Sequence, residues 1–422
     1  MVAGIEAVSA DNRLAQWRER IVYALLFLFP ILGVSLHHWF SSIFVLIFLI
    51  SLTALYRPQG EVLFPEERLL LYFIAAYFVT FILSSLVNEW TEQQTRYLGV
   101  EIRYLAFIPV YLMLRNYRHA GSWLLRGGMA AAIVIAMQAY FDVYVANQGR
   151  ATGVYSPNLL GPFAALIAAW LLIQWRFLHK KRWWLLPLFI GALFAVALSG
   201  SRGAYLGLIV MMLLVVVMSL ARWQRYVAMA FVIIGLAGTY LTVDVVNERV
   251  NFAIDETRTY FAGEAGLNKA QPLTSTSTRF EMWRFSGMAF WDAPVLGVGR
   301  GNYADVAKEY LIAGKIRSDV AASAHPHNAY AEALFSRGGV GLIVFLLMLL
   351  YPLYYFVRTR RQAAHTALLG TVHIAGMMVF SLTDASTFIK GNFVSIFLLY
   401  LAALFSWHVR CVREAELRQA EG

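Results

Sequence analysis

Twelve runs of mostly apolar residues, most of them near the length that crosses a bilayer as a helix, dominate this chain. A hydrocarbon core takes about 20 helical residues per crossing. No water inside it can satisfy a backbone amide, so such runs must be helical. They lie near 21–36, 40–56, 68–87, 98–114, 123–145, 158–177, 183–199, 204–221, 225–243, 338–357, 366–383 and 392–409. Composition agrees, because the chain is 59% hydrophobic and only 14% charged, against about 25% charged in soluble domains. Its 12 Trp and 22 Tyr are the side chains that settle at membrane interfaces. Residues 1–20 are polar, and no small-residue cleavage site follows the run from Ile21. That run is expected to be the first span rather than a removed signal. The expected fold class is an all-α polytopic membrane protein of about twelve transmembrane helices.

Charge sets the expected orientation. One set of connections carries Arg13, Arg18 and Arg20; Arg57 and Arg68; Arg115 and Arg118; Arg176, Lys180, Lys181 and Arg182; Arg222 and Arg225; Arg358, Arg360 and Arg361; and Arg410 and Arg413. The alternate short connections carry only Arg96, Arg150, Arg202 and Lys390. The basic set, with both termini, is therefore expected in the cytoplasm. This alternation also accounts for the net charge of +10 without nucleic acid, which would need a continuous basic patch. Cys411 is alone, which excludes an intrachain disulfide and a cysteine metal cluster.

The same alternation divides the chain into spans 1–9 over residues 1–243, an outer loop over 244–337, and spans 10–12 with a cytoplasmic tail over 338–422. The loop has helix signals. Thr278 and Glu281 form a capping-box pattern opening a helix toward Asp292, which Pro294 follows. Asn302 and Asp305 mark a second helix closed by Gly314, and a third runs from near His327 to Gly338. The loop holds ten Lys and Arg against eleven Asp and Glu, a net of −1, so an anion site there needs local clustering.

Four residues stand out. Arg202 lies in Ser199-Gly200-Ser201-Arg202-Gly203, a very short turn between apolar runs. It either snorkels to lipid phosphates or clamps an anion, with Gly and Ser supplying close approach and donors. Arg279 follows Ser275-Thr276-Ser277-Thr278 at an expected helix start, where free N–H groups already favour an anion; the alternative is a solvated surface Arg. Trp283 shares its face and either stacks on a sugar or packs on the loop. His327, in His325-Pro326-His327-Asn328, is either a structural residue at a helix start or a proton-exchanging group. His325 and His327 alone do not make a metal site, and no metal or cofactor is expected. Asp384 ends the eleventh run and can orient His327, pair with an Arg, or simply meet solvent. Glu101, Arg103 and Asp142 are expected to face the bundle interior.

The layout and three motifs resemble the O-antigen ligase and polymerase superfamily of bacterial inner-membrane glycosyltransferases. The motifs are Ser-Gly-Ser-Arg-Gly-Ala-Tyr at 199–205; Thr278-Arg279-Phe280-Glu281-Met282-Trp283 followed by Pro294-Val295-Leu296-Gly297-Val298-Gly299; and His327-Asn328 with Gly338-x-x-Gly341. The resemblance implies a GT-C-like multi-helix fold with a large helical periplasmic loop, and a location in the inner membrane. It implies transfer of a polysaccharide from undecaprenyl diphosphate, outside the cytoplasm, to lipid A–core without metal or nucleotide sugar. Arg202 and Arg279 match the residues thought to bind the diphosphate, and His327 the general base; Asp384 is added as its orienter. Polymerases and protein O-oligosaccharyltransferases share these motifs and differ in acceptor. A lipid-linked oligosaccharide flippase is the rival of another class, but its ionisable groups belong near the midplane.

Overall fold

The computed structural model describes residues 2–55, 62–177, 182–242, 244–262 and 273–421. Arg57, Lys180 and Lys181 of the expected charge pattern lie outside them. The described residues form helices and connections, with no strand among them. The first half comprises α1 (Val2–Ser35), α2 (Trp39–Leu55), α3 (Pro65–Val87), α4 (Glu92–Leu114), α5 (Ala120–Tyr140, continued by a π-turn to Val145), α6 (Pro157–Phe177), α7 (Leu185–Ser199), α8 (Arg202–Ser219) and α9 (Arg222–Thr242). Then come α10 (Asp244–Phe261), α11 (Ser275–Asp292), α12 (Tyr303–Ile312), α13 (Ser318–Ala321), α14 (Ala329–Arg358), α15 (Ala364–Thr383), α16 (Ser386–Ile389) and α17 (Gly391–Glu421).

Every expected apolar run falls on a helix, but not every such helix has the length and hydropathy of a span. Among the described residues eight do: α3, α4, α5, α6, α8, α14, α15 and α17. Helices α2 and α7 are apolar but have only 17 and 15 residues, and α1 and α9 carry the other two runs.

Helices α6 and α17 sit innermost. Almost every side chain between Phe393 and Val409 of α17 is buried, as is almost every one between Leu159 and Ile173 of α6. Helix α17 packs on α2, α4, α5 and α15, while α8 lies along α15. Gly203 and Gly207 make that last approach possible. A Cβ on Gly203 would overlap the Thr383 hydroxyl, and one on Gly207 the Phe380 ring. Small residues four apart let two helix backbones close up. Here they bring Arg202, at the start of α8, to the same cleft as Asp384, just past the end of α15.

Polar contacts mark the two ends of the bundle. At one end Arg115 pairs with Glu67 at 2.9 Å and Arg413 pairs with Glu66. At the other, the ends of α3 and α15 and the starts of α4, α6, α8 and α14 meet residues 273–337. Asn88 donates to the Gly297 carbonyl at 3.1 Å, and Asn158 to Asp384 at 3.0 Å.

The segment from 273 to 337 has its own small core of Met282, Phe285, Ala289, Tyr303, Ala307, Tyr310, Ile316, Val320 and Phe335. Three expectations there meet different outcomes. The helix toward Asp292 forms, but Thr278 does not cap it. Thr274 does, accepting from the Ser277 N–H at 3.3 Å, one turn earlier. Glu281 instead accepts from the Tyr260 hydroxyl at 2.8 Å and from Arg284 at 2.7 Å. The second helix begins after Asn302 and gives way to Gly314 at φ 68°, as expected. The third starts at Ala329 behind the cap Asn328 and breaks at Gly338. Helix α10 had no counterpart in the sequence reading.

Candidate active site

A cleft of about 210 Å³ opens where these helix ends meet, lined by Arg150, Asn158, Ser201, Arg202, Ser275, Arg279, Thr383, Asp384 and Thr387 among others. Three of the four residues singled out in the sequence line it directly. The fourth, His327, stands with Nδ1 3.8 Å from Asp384 Oδ1, beyond direct hydrogen-bond contact. Its side chain is 36% exposed, so a ligand can reach it.

Arg202 reaches the cleft from the first turn of α8. Its Nη1 donates to Thr276 Oγ1 at 2.8 Å and lies 3.7 Å from Glu256 of α10. The Thr276 hydroxyl in turn donates to Glu256. Arg279 sits in the second turn of α11. Among the described residues it makes no hydrogen bond and no ion pair within 4.0 Å. Burial lowers its pKa, Asp384 and Glu256 offset part of that, and the like charge of Arg202 adds to it. An oxyanion between Arg202 and Arg279 would relieve their repulsion and supply Arg279 with an acceptor.

Arg150 is a third guanidinium in the lining, one that no local sequence pattern marks. Its Nε donates to the Ser199 carbonyl at 2.8 Å. The loop bearing it is held by Asp142, whose Oδ2 accepts the Thr152 and Gly153 N–H groups, each at 2.8 Å. Asp142 is buried, as expected. The lining thus carries three guanidiniums and one carboxylate, a local positive site in a segment of nearly balanced charge.

Asp384 is buried, so the solvent-exposed alternative falls. Its Oδ1 accepts the Ser386 N–H at 2.8 Å and its Oδ2 accepts from Asn158 Nδ2 at 3.0 Å. Burial acts to raise its pKa, but His327 and Ser386 outweigh that and hold it below the usual carboxylate range. Trp283 packs on the chain rather than facing the cleft, since Nε1 donates to the Pro326 carbonyl at 2.9 Å. His325, His327 and Asp384 together offer three metal-ligand atoms within 4.8 Å of one another. The sequence pair lacked that third donor, which only the return of α15 to the cleft supplies.

The motifs are structural as well as local. Asn328 caps α14, accepting from the Tyr330 and Ala331 N–H groups at 2.9 and 3.0 Å, and donates to the Leu382 carbonyl at 3.2 Å. Pro294–Gly299 crosses the break in α14. The Val298 and Gly299 N–H groups donate to the carbonyls of Phe335 and Ser336 at 3.0 and 3.2 Å, and Gly339 N–H donates to the Pro294 carbonyl at 2.8 Å. Backbone groups freed by a helix break are thereby paired.

Residues 187–346 match the O-antigen ligase family. The match spans Arg202, Arg279 and His327 but not Asp384 or Arg150. An uncharacterized protein of Haemophilus influenzae is 26% identical over 361 residues, covering 82% of this chain and 86% of its own length. That family match over residues 187–346 and the apolar helices point to an integral membrane protein with an O-antigen ligase-type region.

Proposed function

We propose that this protein transfers O-antigen polysaccharide from undecaprenyl diphosphate to lipid A–core, at the periplasmic face of the bacterial inner membrane. The observation that carries the reading is the convergence of Arg150, Arg202, Arg279 and Asp384 on one cleft, with His327 beside Asp384. The diphosphate of the donor sits among the guanidiniums. His327 Nε2 takes the proton of the acceptor hydroxyl while Nδ1–H faces Asp384, whose negative charge steadies the imidazolium that forms. The acceptor oxygen bonds to the anomeric carbon, the bond from that carbon to the diphosphate oxygen breaks, and its electron pair leaves on undecaprenyl diphosphate. Fixed guanidiniums stabilise the charge that develops there, so the step needs no metal. The periplasmic side is supported by the basic residues Arg115 and Arg413, expected in the cytoplasm, lying outside the cleft lining.

Purified protein in detergent, given undecaprenyl diphosphate-linked glycan and lipid A–core, is expected to form the conjugate, in excess chelator and without a membrane gradient. His327→Ala is expected to abolish turnover while donor binding survives. Near-normal turnover by His327→Ala rules out the general base. Elongation of the donor in place of conjugate would make the protein a polymerase, and dependence on added divalent ion would make the three-donor cluster a metal site.

A further inference from the structure

His325 is half-buried, with its ring against that of the candidate base. The backbone of His327 shows why that contact matters. Its φ is 50°, in the left-handed region that a side-chain-bearing residue keeps only when its surroundings hold it there. Three contacts surround that turn. His325 Nδ1 accepts the His327 N–H at 3.3 Å, and the two rings lie 4.3 Å apart. Pro326 between them has a restricted φ, and its carbonyl accepts from Trp283 at 2.9 Å. Asn328 then fixes the start of α14. Arg279 lies one turn before Trp283 on α11, so the latch on Pro326 also ties His327 to the helix that carries a cleft arginine.

We propose that His325 is a positioning residue, whose Nδ1 holds His327 in its left-handed turn and so keeps the His327 ring facing Asp384. The role rests on His327 being the general base. Accepting at Nδ1 leaves the ring proton of His325 on Nε2 and the ring neutral. Burial, and after it the neighbouring His327, lower its pKa to about 4, with Asp384 opposing them and Lys390 and Arg300 adding to them. A protonated His325 would turn a donor against the donor it must accept.

The test pairs two side chains of one shape, measured in the full-length protein with lipid-linked donor and lipid A–core. His325→Asn keeps an acceptor near the Nδ1 position and is expected to retain most of the turnover. His325→Leu has the same outline and no acceptor. It should lower kcat on the order of 10- to 100-fold, the scale of a small misplacement of a catalytic group, with donor KM unchanged. Both are checked for wild-type unfolding temperature and elution; if Leu fails to fold, His325→Phe takes its place as the variant without an acceptor. Equal loss in Asn and Leu, full activity in Leu, or a rise in donor KM in place of the fall in kcat overturns the proposal. So does loss of wild-type turnover on chelation with recovery on zinc, which would make His325 a ligand. Normal turnover by His327→Ala is a separate failure, that of the general base itself.

Discussion

Arg202 and Arg279 reach the same cleft under different electrostatic loads. Glu256 stands 3.7 Å from Arg202 and neutralises part of its charge, whereas Arg279 makes no such pair among the described residues. Arg279→Ala is therefore expected to raise donor KM more than Arg202→Ala, by roughly ten- to a hundredfold, the worth of one hydrogen bond to a charged group. Arg202→Ala also strips Glu256 of its counter-charge beside an anion site, so adding Glu256→Gln should recover part of the loss. Steady-state kinetics with varied donor separates these outcomes; a double variant no better than Arg202→Ala would falsify the account of Glu256. Arg202, Arg279 and His327 were legible because each sits in a short local pattern with a physical reason to be polar. Asp384 was legible from a carboxylate ending an apolar run, though not its burial. Arg150, Asn158 and Glu256 were not, because each acts through a partner at least 40 positions away, which no local pattern records.

At the scale of elements, the break in α14 joins motif to site. Gly338 has φ 64° and ψ −161° inside the helix, a conformation essentially reserved for glycine. A Cβ there would also overlap the Val295 carbonyl. Gly338→Ala is expected to lower stability by about 1–3 kcal/mol from the backbone alone, read as a lower unfolding temperature in detergent. Turnover should fall further than donor binding, because the piece of α14 before the break follows directly on His327. An unchanged unfolding temperature would mean that the helix tolerates another path. The existence of this helix and its limit at Gly338 could be read from the sequence. The start of α11 could not, since the hydroxyl residues from Thr274 to Thr278 all suit a cap and only tertiary packing chooses among them. Helix α10 was hidden because its exposed apolar residues, Val250, Phe252 and Ile254, mask the period of a partly buried face.

Across the whole molecule, one buried cluster joins the segment 273–337 to the bundle. Arg300, Arg337 and Glu101 are each no more than 1% exposed. Glu101 pairs with Arg300 and, at 2.6 Å, with Arg337. Arg300 also donates to the Phe388 carbonyl of α16 at 3.2 Å, and Arg337 to the Tyr77 carbonyl of α3 at 2.8 Å. Glu332 is buried nearby but makes no ion pair within 4.0 Å among the described residues, so two guanidiniums share one direct counter-charge. The inward placement of Glu101 was expected from its position in an apolar run. Its partners were not, because they arrive from residues 300 and 337 only once the segment folds over the helix ends. Removing one member of such a cluster leaves uncompensated charge out of water, a loss of about 3–5 kcal/mol. Glu101→Gln is accordingly expected to destabilise the protein by that order, and Glu332→Gln by much less. Thermal unfolding of the two variants side by side measures the difference, and equal effects would show that Glu332 shares the load. Because Arg300 also holds α16, two residues beyond Asp384, any folded Glu101→Gln protein should lose turnover at temperatures where its helices remain intact. That would tie the reaction to the joint between segment and bundle, since Glu101 itself lies outside the cleft lining.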